Sequence, residues 1–289
     1  MTLLADSSLP RSFTEPNQSG YSTAALTFTA FGVRVRVQSD DPAVLDDLRG
    51  RLPPGWKPAA VSRVDRSYAV ALLDCRTTSA AAPRYALWSD GEQLHGDCNG
   101  RQVREMLAVH VRLFLAEYAP RRVFVHAGVV GWGSTAIMVS GPSLAGKTTL
   151  VAEMIKRGAT YYSDDYAVLD RNGRVHPYLK HLSIRDDGCY EQQDVAVEEL
   201  GGRPGKEPLI VGTVLVCCYR AGARWQPRRL TPGEAVLELL ANTVSARRQP
   251  ERALHVLEKV AVGATTLKGV RGESSELLDE FFNIRQNGT

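Results

Sequence analysis

The 289-residue sequence predicts an α/β fold, and three observations support this class. Stretches with strand patterning alternate with stretches that have helical spacing. A glycine-rich segment of the form G-x-x-x-x-G-K-T, residues 141–148, stands directly between a strand pattern and a helix pattern. The turn dipeptide Asn172-Gly173 predicts a β-hairpin, which favours a mixed sheet over a purely parallel one.

Residues 1–22 are rich in serine, proline and polar groups without periodicity, which predicts a flexible N-terminal arm. A small α/β domain is expected from residue 23 to residue 119. Apolar residues alternate with arginines near its start, Asp41-Pro42 has the pattern of a helix start, and Asp90-Gly91 has that of a turn. The expected elements are strands at 31–37, 68–73 and 84–88, a helix that begins at 42, and a helix at 101–118.

A second domain is expected from residue 120 to residue 289. Buried strand patterns surround the glycine-rich segment, and helical spacing dominates the C-terminal part. The expected strands are 123–125, 136–139, 159–162, 167–169, 174–176, 209–219 and 265–267, and the expected helices are 149–157, 232–244, 251–260 and 273–282.

Composition is that of an ordinary globular protein, with 44% hydrophobic and 23% charged residues. The net charge of +3 is spread along the chain, so no nucleic acid or membrane partner is expected. No segment resembles a signal peptide or is long enough to span a bilayer, which predicts a cytoplasmic protein. Free thiols are expected for the cysteines, with cysteine catalysis as the alternative: Cys75, Cys98, Cys189, Cys217 and Cys218.

The glycine-rich segment predicts a site for the phosphates of a nucleotide. Such a loop turns backbone N–H groups toward phosphate oxygens, and the following helix adds its positive end. Lys147 would reach the β- and γ-phosphates, and the Thr148 hydroxyl would bind Mg²⁺. A chance glycine turn is the alternative, which the strand and helix on either side disfavour. The nucleotide-binding residues expected are Gly141, Ser143, Ala145, Gly146, Lys147, Thr148 and Thr149.

Two adjacent carboxylates, Asp164 and Asp165, follow the strand expected at 159–162. A carboxylate at this place would give Mg²⁺ a second ligand, and its neighbour would accept the proton of an attacking hydroxyl. The alternative is a solvated turn, because Ser163-Asp164-Asp165 is also ordinary turn chemistry.

Together, His126-Ala127-Gly128, the glycine loop and Ser163-Asp164-Asp165 resemble the bacterial HPr kinase/phosphorylase family in residue type and spacing. The resemblance covers about residues 123–176. It implies a P-loop fold like that of phosphoenolpyruvate carboxykinase, with a mixed sheet. It also implies that Lys147 binds phosphate and that Thr148 and Asp164 bind Mg²⁺. Asp165 would be the general base, and His126 would lie beside the transferred phosphoryl group.

The resemblance also extends weakly downstream. Leu182 to Arg185 is similar to a family segment whose arginine neutralises phosphate charge, which implies this role for Arg185. Arg229 is a tentative match to a later family arginine, with a solvated surface charge as the alternative.

Two departures separate the chain from that family. Ser183 stands where the family has a metal-binding glutamate, and residues 268–272 only faintly match the segment tied to phosphorylase activity. Reverse phosphorolysis is therefore not expected. The pattern is more similar to divergent HPr-kinase-like proteins, including kinases that modify ribosomally made peptides such as lasso-peptide precursors.

The resemblance implies an ATP- and Mg²⁺-dependent kinase whose acceptor is a hydroxyl, with a peptide or protein serine as the first expectation. Two further hypotheses stay open: a kinase of small-molecule alcohols such as amino acids or sugars, and a non-catalytic ATP-sensing module, which the missing glutamate favours. A purely structural loop is a third. The N-terminal domain is expected to recognise a partner or to mediate homo-oligomerisation.

Overall fold

The computed structural model describes residues 24–73, 82–142, 145–185 and 192–286. They form two compact units, one of residues 24–52 and 56–111 and one of residues 53–55 and 112–286. The predicted arm at 1–22 and residues Cys75, Ser143 and Cys189 lie outside the described residues, and the domain limits at 119 and 120 stay a prediction. In the described part of the chain, no helix has both the length and the apolar character needed to cross a bilayer.

The first unit is a six-stranded mixed sheet in the order β3-β1-β2-β4-β5-β6. The predicted strand at 31–37 is wrong at its start, because Phe31 has a φ of 52° and forms a turn with Gly32. Asp41 caps the first helix as expected, since its Oδ1 accepts a bond from the Ala43 amide at 3.0 Å. The elements are β1 Ala24–Ala30, β2 Val33–Ser39, α1 Pro42–Arg51, β3 Lys57–Pro58, β4 Arg66–Leu73, β5 Arg84–Ser89, β6 Glu92–Asn99 and α2 Gly100–Tyr118, whose last residues belong to the second unit.

The second unit is built on a nine-stranded sheet in the order β14-β9-β7-β10-β11-β15-β17-β16, with β8 paired to both β7 and β15. Parallel and antiparallel pairs both occur, which confirms the predicted mixed sheet. The elements up to β13 are β7 Val123–Trp132, β8 Thr135–Ser140, α3 Lys147–Lys156, β9 Thr160–Ser163, β10 Tyr166–Leu169, β11 Arg174–His176, β12 Leu182–Arg185 and β13 Gln192–Val195. After a 3₁₀ turn at Val197–Leu200 come β14 Arg203–Pro204, β15 Leu209–Tyr219, β16 Arg228–Arg229, α4 Pro232–Leu240, α5 Pro250–Gly263, β17 Thr265–Arg271 and α6 Ser274–Gln286.

Helices cover both faces of this sheet, which explains why its central strands are apolar without alternation. Ile137 and Val139 of β8 pack with α3 and α6, whereas Ala136 and Met138 pack with α4 and α5. The side chains of one strand therefore alternate between two separate apolar clusters.

The predicted helix at 232–244 is wrong in its last turn, because α4 ends at Leu240. The following residues bind β7 instead of continuing the helix. The His126 amide donates to the Asn242 carbonyl at 2.7 Å, and the Val244 amide donates to the Phe124 carbonyl at 2.9 Å. Pairing with a strand more than a hundred residues away overrides the local helical pattern.

Candidate functional site

The glycine loop connects the end of β8 to the first residue of α3, as predicted. Gly146 is the N-cap of α3 and has a φ of 72°, a left-handed conformation that residues other than glycine rarely adopt. Glycine at this position therefore allows the chain to turn directly from the loop into the helix. Lys147 and Thr148 occupy the first turn of α3, where free backbone N–H groups attract anions.

Lys147 is buried, with 6% of its surface exposed, and its ammonium group points at its own loop. Nζ donates to the carbonyls of Gly141 at 3.0 Å and of Pro142 at 2.8 Å. Burial lowers the pKa of Lys147 below its ordinary value, although the charges of Cys217 and Asp165 act in the opposite direction. The lysine thus lies in the first turn of α3, and in this conformation it is bonded to two loop carbonyls.

Arg271, the last residue of β17, binds backbone carbonyls of the loop and was not predicted as a site residue. It is 2% exposed, and its Nη2 donates to the carbonyls of Ala145 at 3.3 Å and of Gly146 at 2.8 Å. Nη1 donates to the Gly272 carbonyl at 2.9 Å and lies 3.3 Å from the Ser274 hydroxyl. Because no acidic side chain of the described residues pairs with Arg271, its positive charge remains next to the loop.

Asp164 is nearly buried and has hydrogen-bonding partners on several sides. Its Oδ1 lies 3.0 Å from the Lys180 ammonium and 3.1 Å from the Tyr161 hydroxyl. Its Oδ2 accepts a bond from the Ser183 amide at 3.2 Å and lies 3.5 Å from the Thr148 hydroxyl. Burial and the charge of Asp164 raise the pKa of Tyr161, so that phenol stays protonated as a donor. These contacts fix the carboxylate beside the first turn of α3.

Asp165 faces His126, with 3.5 Å between Oδ1 and the imidazole Nδ1. Burial alone would raise the pKa of Asp165, but the hydrogen bond from His126 and the charges of Lys180 and Arg112 outweigh it. The pKa therefore lies below its ordinary value, and the carboxylate is ionised at neutral pH. His126 is partly exposed and also meets the Tyr166 ring edge-on at 5.9 Å.

The turn that carries both aspartates is formed by the side chain of Ser163. Its hydroxyl accepts bonds from the amides of Asp165 at 3.1 Å and of Tyr166 at 3.0 Å. Ser163 thus closes the turn, while the two carboxylates are directed to other partners. Gly128 of β7 allows α3 to pack closely against the strand, because a Cβ there would meet a Val151 methyl at 2.6 Å.

The donor set around Thr148 and Asp164 fits Mg²⁺ in a nucleotide complex. Two oxygens that share an octahedral Mg²⁺ at about 2.1 Å lie about 3 Å apart, close to the 3.5 Å between these side chains. No cluster of three or more His, Cys, Asp or Glu in the described residues could hold a metal by itself. Ser183 offers no replacement for a carboxylate, since its hydroxyl donates to Asp194 at 3.0 Å. Nucleotide oxygens and water would therefore complete the shell.

Other predicted residues lie elsewhere or cannot be placed. The Arg185 side chain and Ser143 are outside the described part of the structure, whereas Arg229 is exposed on β16. Tyr178 is buried, and burial raises its pKa. Conversely, sequence reasoning missed Arg112, whose charge acts on Asp165, Tyr166 and Tyr178. Its place on the predicted helix at 101–118 gave no signal of this role.

No family model matches the chain, and no curated protein matches it. The solved structure of the HPr(Ser) kinase/phosphatase from Coxiella burnetii aligns with 57% of this chain and 94% of its own length. The two sequences are 10% identical and the TM-score is 0.31, a similarity too low to support a conclusion about function. What the structure defines is a mixed α/β protein with a glycine loop between a strand and a helix.

Proposed function

We propose that this chain is a kinase that transfers the γ-phosphoryl group of Mg²⁺-ATP to a hydroxyl, with a peptide or protein serine as the acceptor. The proposal rests on one juxtaposition. Asp164 lies 3.5 Å from Thr148 at the phosphate loop, and the next residue, Asp165, lies 3.5 Å from His126. Asp164, which would bind the metal, and the ionised Asp165, which would accept the proton of the acceptor hydroxyl, are thus neighbours.

The donor half of the site consists of the first turn of α3 and the side chains around it. The backbone N–H groups of Lys147 and Thr148 and the helix dipole would bind the β- and γ-phosphates. The Lys147 ammonium would exchange its two loop carbonyls for phosphate oxygens. Mg²⁺, when bound by Thr148 and Asp164, would neutralise the charge that develops on the phosphates.

In the transfer step, the acceptor oxygen forms a bond to the γ-phosphorus while the bond from that phosphorus to the β–γ bridging oxygen breaks. The electron pair of the broken bond leaves with ADP, and the hydroxyl proton passes to Asp165. The lowered pKa keeps Asp165 ionised to receive it. His126 would orient the carboxylate through the 3.5 Å contact and donate toward the moving phosphoryl oxygens.

The test is transfer of ³²P from γ-labelled ATP to a peptide pool by purified Asp165→Asn and Lys147→Ala variants. Both should lose at least 100-fold in transfer rate, since one removes the proton acceptor and the other a phosphate ligand. Asp46→Asn is the matched control, because it removes the same charge from an exposed side chain on α1. Undiminished transfer by both site variants would refute the assignment.

Lys180 favours a second candidate function, an ATP-binding module that does not transfer phosphate. Its ammonium lies 3.0 Å from the Asp164 carboxylate, so a positive charge already stands on the metal side of the site. Under this alternative, calorimetry would show saturable ATP binding with little dependence on Mg²⁺, and no acceptor would gain mass. Incubation of ATP with peptides, free amino acids and sugars, followed by mass spectrometry, separates it from both kinase hypotheses.

A further inference from the structure

The second unit contains a cavity that has no role in the proposed transfer. It is a cavity of about 630 Å³ at the start of β7, the turn after β10 and the first turns of α5. Its base is apolar, formed by the buried residues Val123, Leu169 and Val256. Around this base stand four arginines and one histidine: Arg121, Arg122, Arg171, Arg252 and His255.

The positive charges of this cavity have no anionic partner among the described residues. Arg122 donates to the Arg121 carbonyl at 3.1 Å, and Arg252 donates to the Gln249 amide oxygen. The one carboxylate in the lining, Asp170, accepts bonds from the amides of Asn172 and Arg174 and meets the His176 ring at 3.0 Å. Asp170 is therefore engaged within its own hairpin.

Several arginines elsewhere in the same unit are paired with carboxylates. Arg157 pairs with Asp279, and Arg248 pairs with Glu117. Scattered surface arginines are ordinary solvated charges, whereas four that line one cavity give it a locally positive potential. A ligand with several negative charges would be attracted by that potential.

We propose that this cavity binds a small molecule that carries two or more oxyanion groups, phosphates or carboxylates, on a short aliphatic framework. Guanidinium groups bind both oxyanions through paired N–H donors. The base made of Val123, Leu169 and Val256 suits an aliphatic segment, and the lining holds no Phe, Tyr or Trp side chain to stack on a nucleobase. Its volume is in the range of small-molecule sites.

The cavity is distinct from the candidate transfer site. Val123 pairs with Leu169 three residues along the strands from the pair His126 and Tyr166, or about 10 Å at 3.3 Å per residue. Val123 and Leu169 also belong to the cluster on the face of α5, and strand alternation places His126 on the opposite face. The proposal therefore stands or falls independently of the kinase assignment.

Isothermal titration of the full chain with 1,4-butanediol bisphosphate and with citrate tests the proposal. We expect saturable binding of at least one, weakened tenfold or more in Arg171→Gln/Arg252→Gln. If only the bisphosphate binds, the ligand is phosphorylated; if only citrate binds, the ligand is a polycarboxylate. Either result supports the site. Lys147→Ala should bind the same probe as tightly as the unmodified chain, which excludes the phosphate loop as its location.

The matched control is Arg203→Gln/Arg224→Gln, which removes two exposed arginines from the same unit. It should retain full affinity, and Mg²⁺-ATP affinity should be unchanged in both double variants. Absence of saturable binding by either probe, or equal losses in both double variants, would overturn the proposal. Tighter binding of hexaglutamate than of either probe would also overturn it, in favour of an acidic protein segment.

Discussion

Replacing Arg271 by methionine tests whether this buried arginine holds the phosphate loop in shape. The variant keeps an unbranched apolar side chain and removes every N–H donor, including those that bind the Gly146 carbonyl at 2.8 Å and the Gly272 carbonyl at 2.9 Å. Hydrogen bonds to a charged group contribute about 1.5–3 kcal/mol each. The two shorter bonds therefore amount to about 3–6 kcal/mol before compensation.

Part of this loss is offset, because methionine does not have to be desolvated as a buried cation. We therefore expect Arg271→Met to lower the free energy of unfolding by about 2–4 kcal/mol, measured by urea denaturation. Arg228→Met is the control, since Arg228 is 61% exposed and its pair with Glu234 should contribute at most about 1 kcal/mol. Arg271→Lys keeps the charge, and its loss in the free energy of unfolding should lie between those of Arg271→Met and Arg228→Met.

The same variant should weaken Mg²⁺-ATP binding by tenfold or more under conditions where it is folded, because the loop carbonyls lose their support. Tenfold corresponds to about 1.4 kcal/mol. Fluorescence titration with a labelled ATP analogue measures it, and Arg228→Met should bind as the unmodified chain does. If Arg271→Met matched Arg228→Met in both stability and affinity, the role assigned to Arg271 would be wrong.

Three further predictions concern the loop and the carboxylate. Gly146→Ala should lower the free energy of unfolding, measured by urea denaturation, by at least about 1 kcal/mol. The reason is that a φ of 72° is strained for alanine and that the added Cβ would meet the Arg271 guanidinium. The control Gly233→Ala, which places its Cβ in open space on α4, should be neutral or stabilising in the same assay. Affinity for Mg²⁺-ATP, measured by calorimetry, should fall as pH rises through the pKa of Lys147, which is lowered from the ordinary 10.5. Lys147→Arg should remove this pH dependence. A pH-independent affinity in the unmodified chain would contradict the prediction. The rate of phosphoryl transfer should not fall between about pH 8 and pH 5 through protonation of Asp165, because a carboxylate whose pKa is below 3.8 is ionised throughout that range. A loss of rate near about pH 6 that disappears in Asp165→Asn would count against this prediction.

Elements fixed by local chemistry were predictable from the sequence. The strand at 136–139 and the helix after the glycine loop follow from apolar patterning, and the Asn172-Gly173 dipeptide predicted the hairpin of β10 and β11. The spacing of the loop and of Asp164 also indicated residues that the structure brings within 3.5 Å of each other.

Features made by distant parts of the chain were not predictable in this way. Arg271 is 125 residues from Gly146, and the faint family match at 268–272 did not indicate a contact with the loop. The end of α4 is set by bonds between 242–244 and β7, which a helical pattern cannot reveal. The contact of Lys180 with Asp164 was equally unpredictable, because it depends on how the segment before β12 returns to β9.

The two hydrogen bonds of Lys147 to its own loop make phosphate binding a ligand exchange rather than a simple addition. Carbonyl oxygens of Gly141 and Pro142 already satisfy the ammonium group, so an incoming phosphate would have to displace an intramolecular competitor. A ligand with one phosphate would gain little from that exchange. A triphosphate, which would also engage the backbone amides of α3, would gain enough to drive it, and the resting loop would thereby select for the length of the phosphate chain.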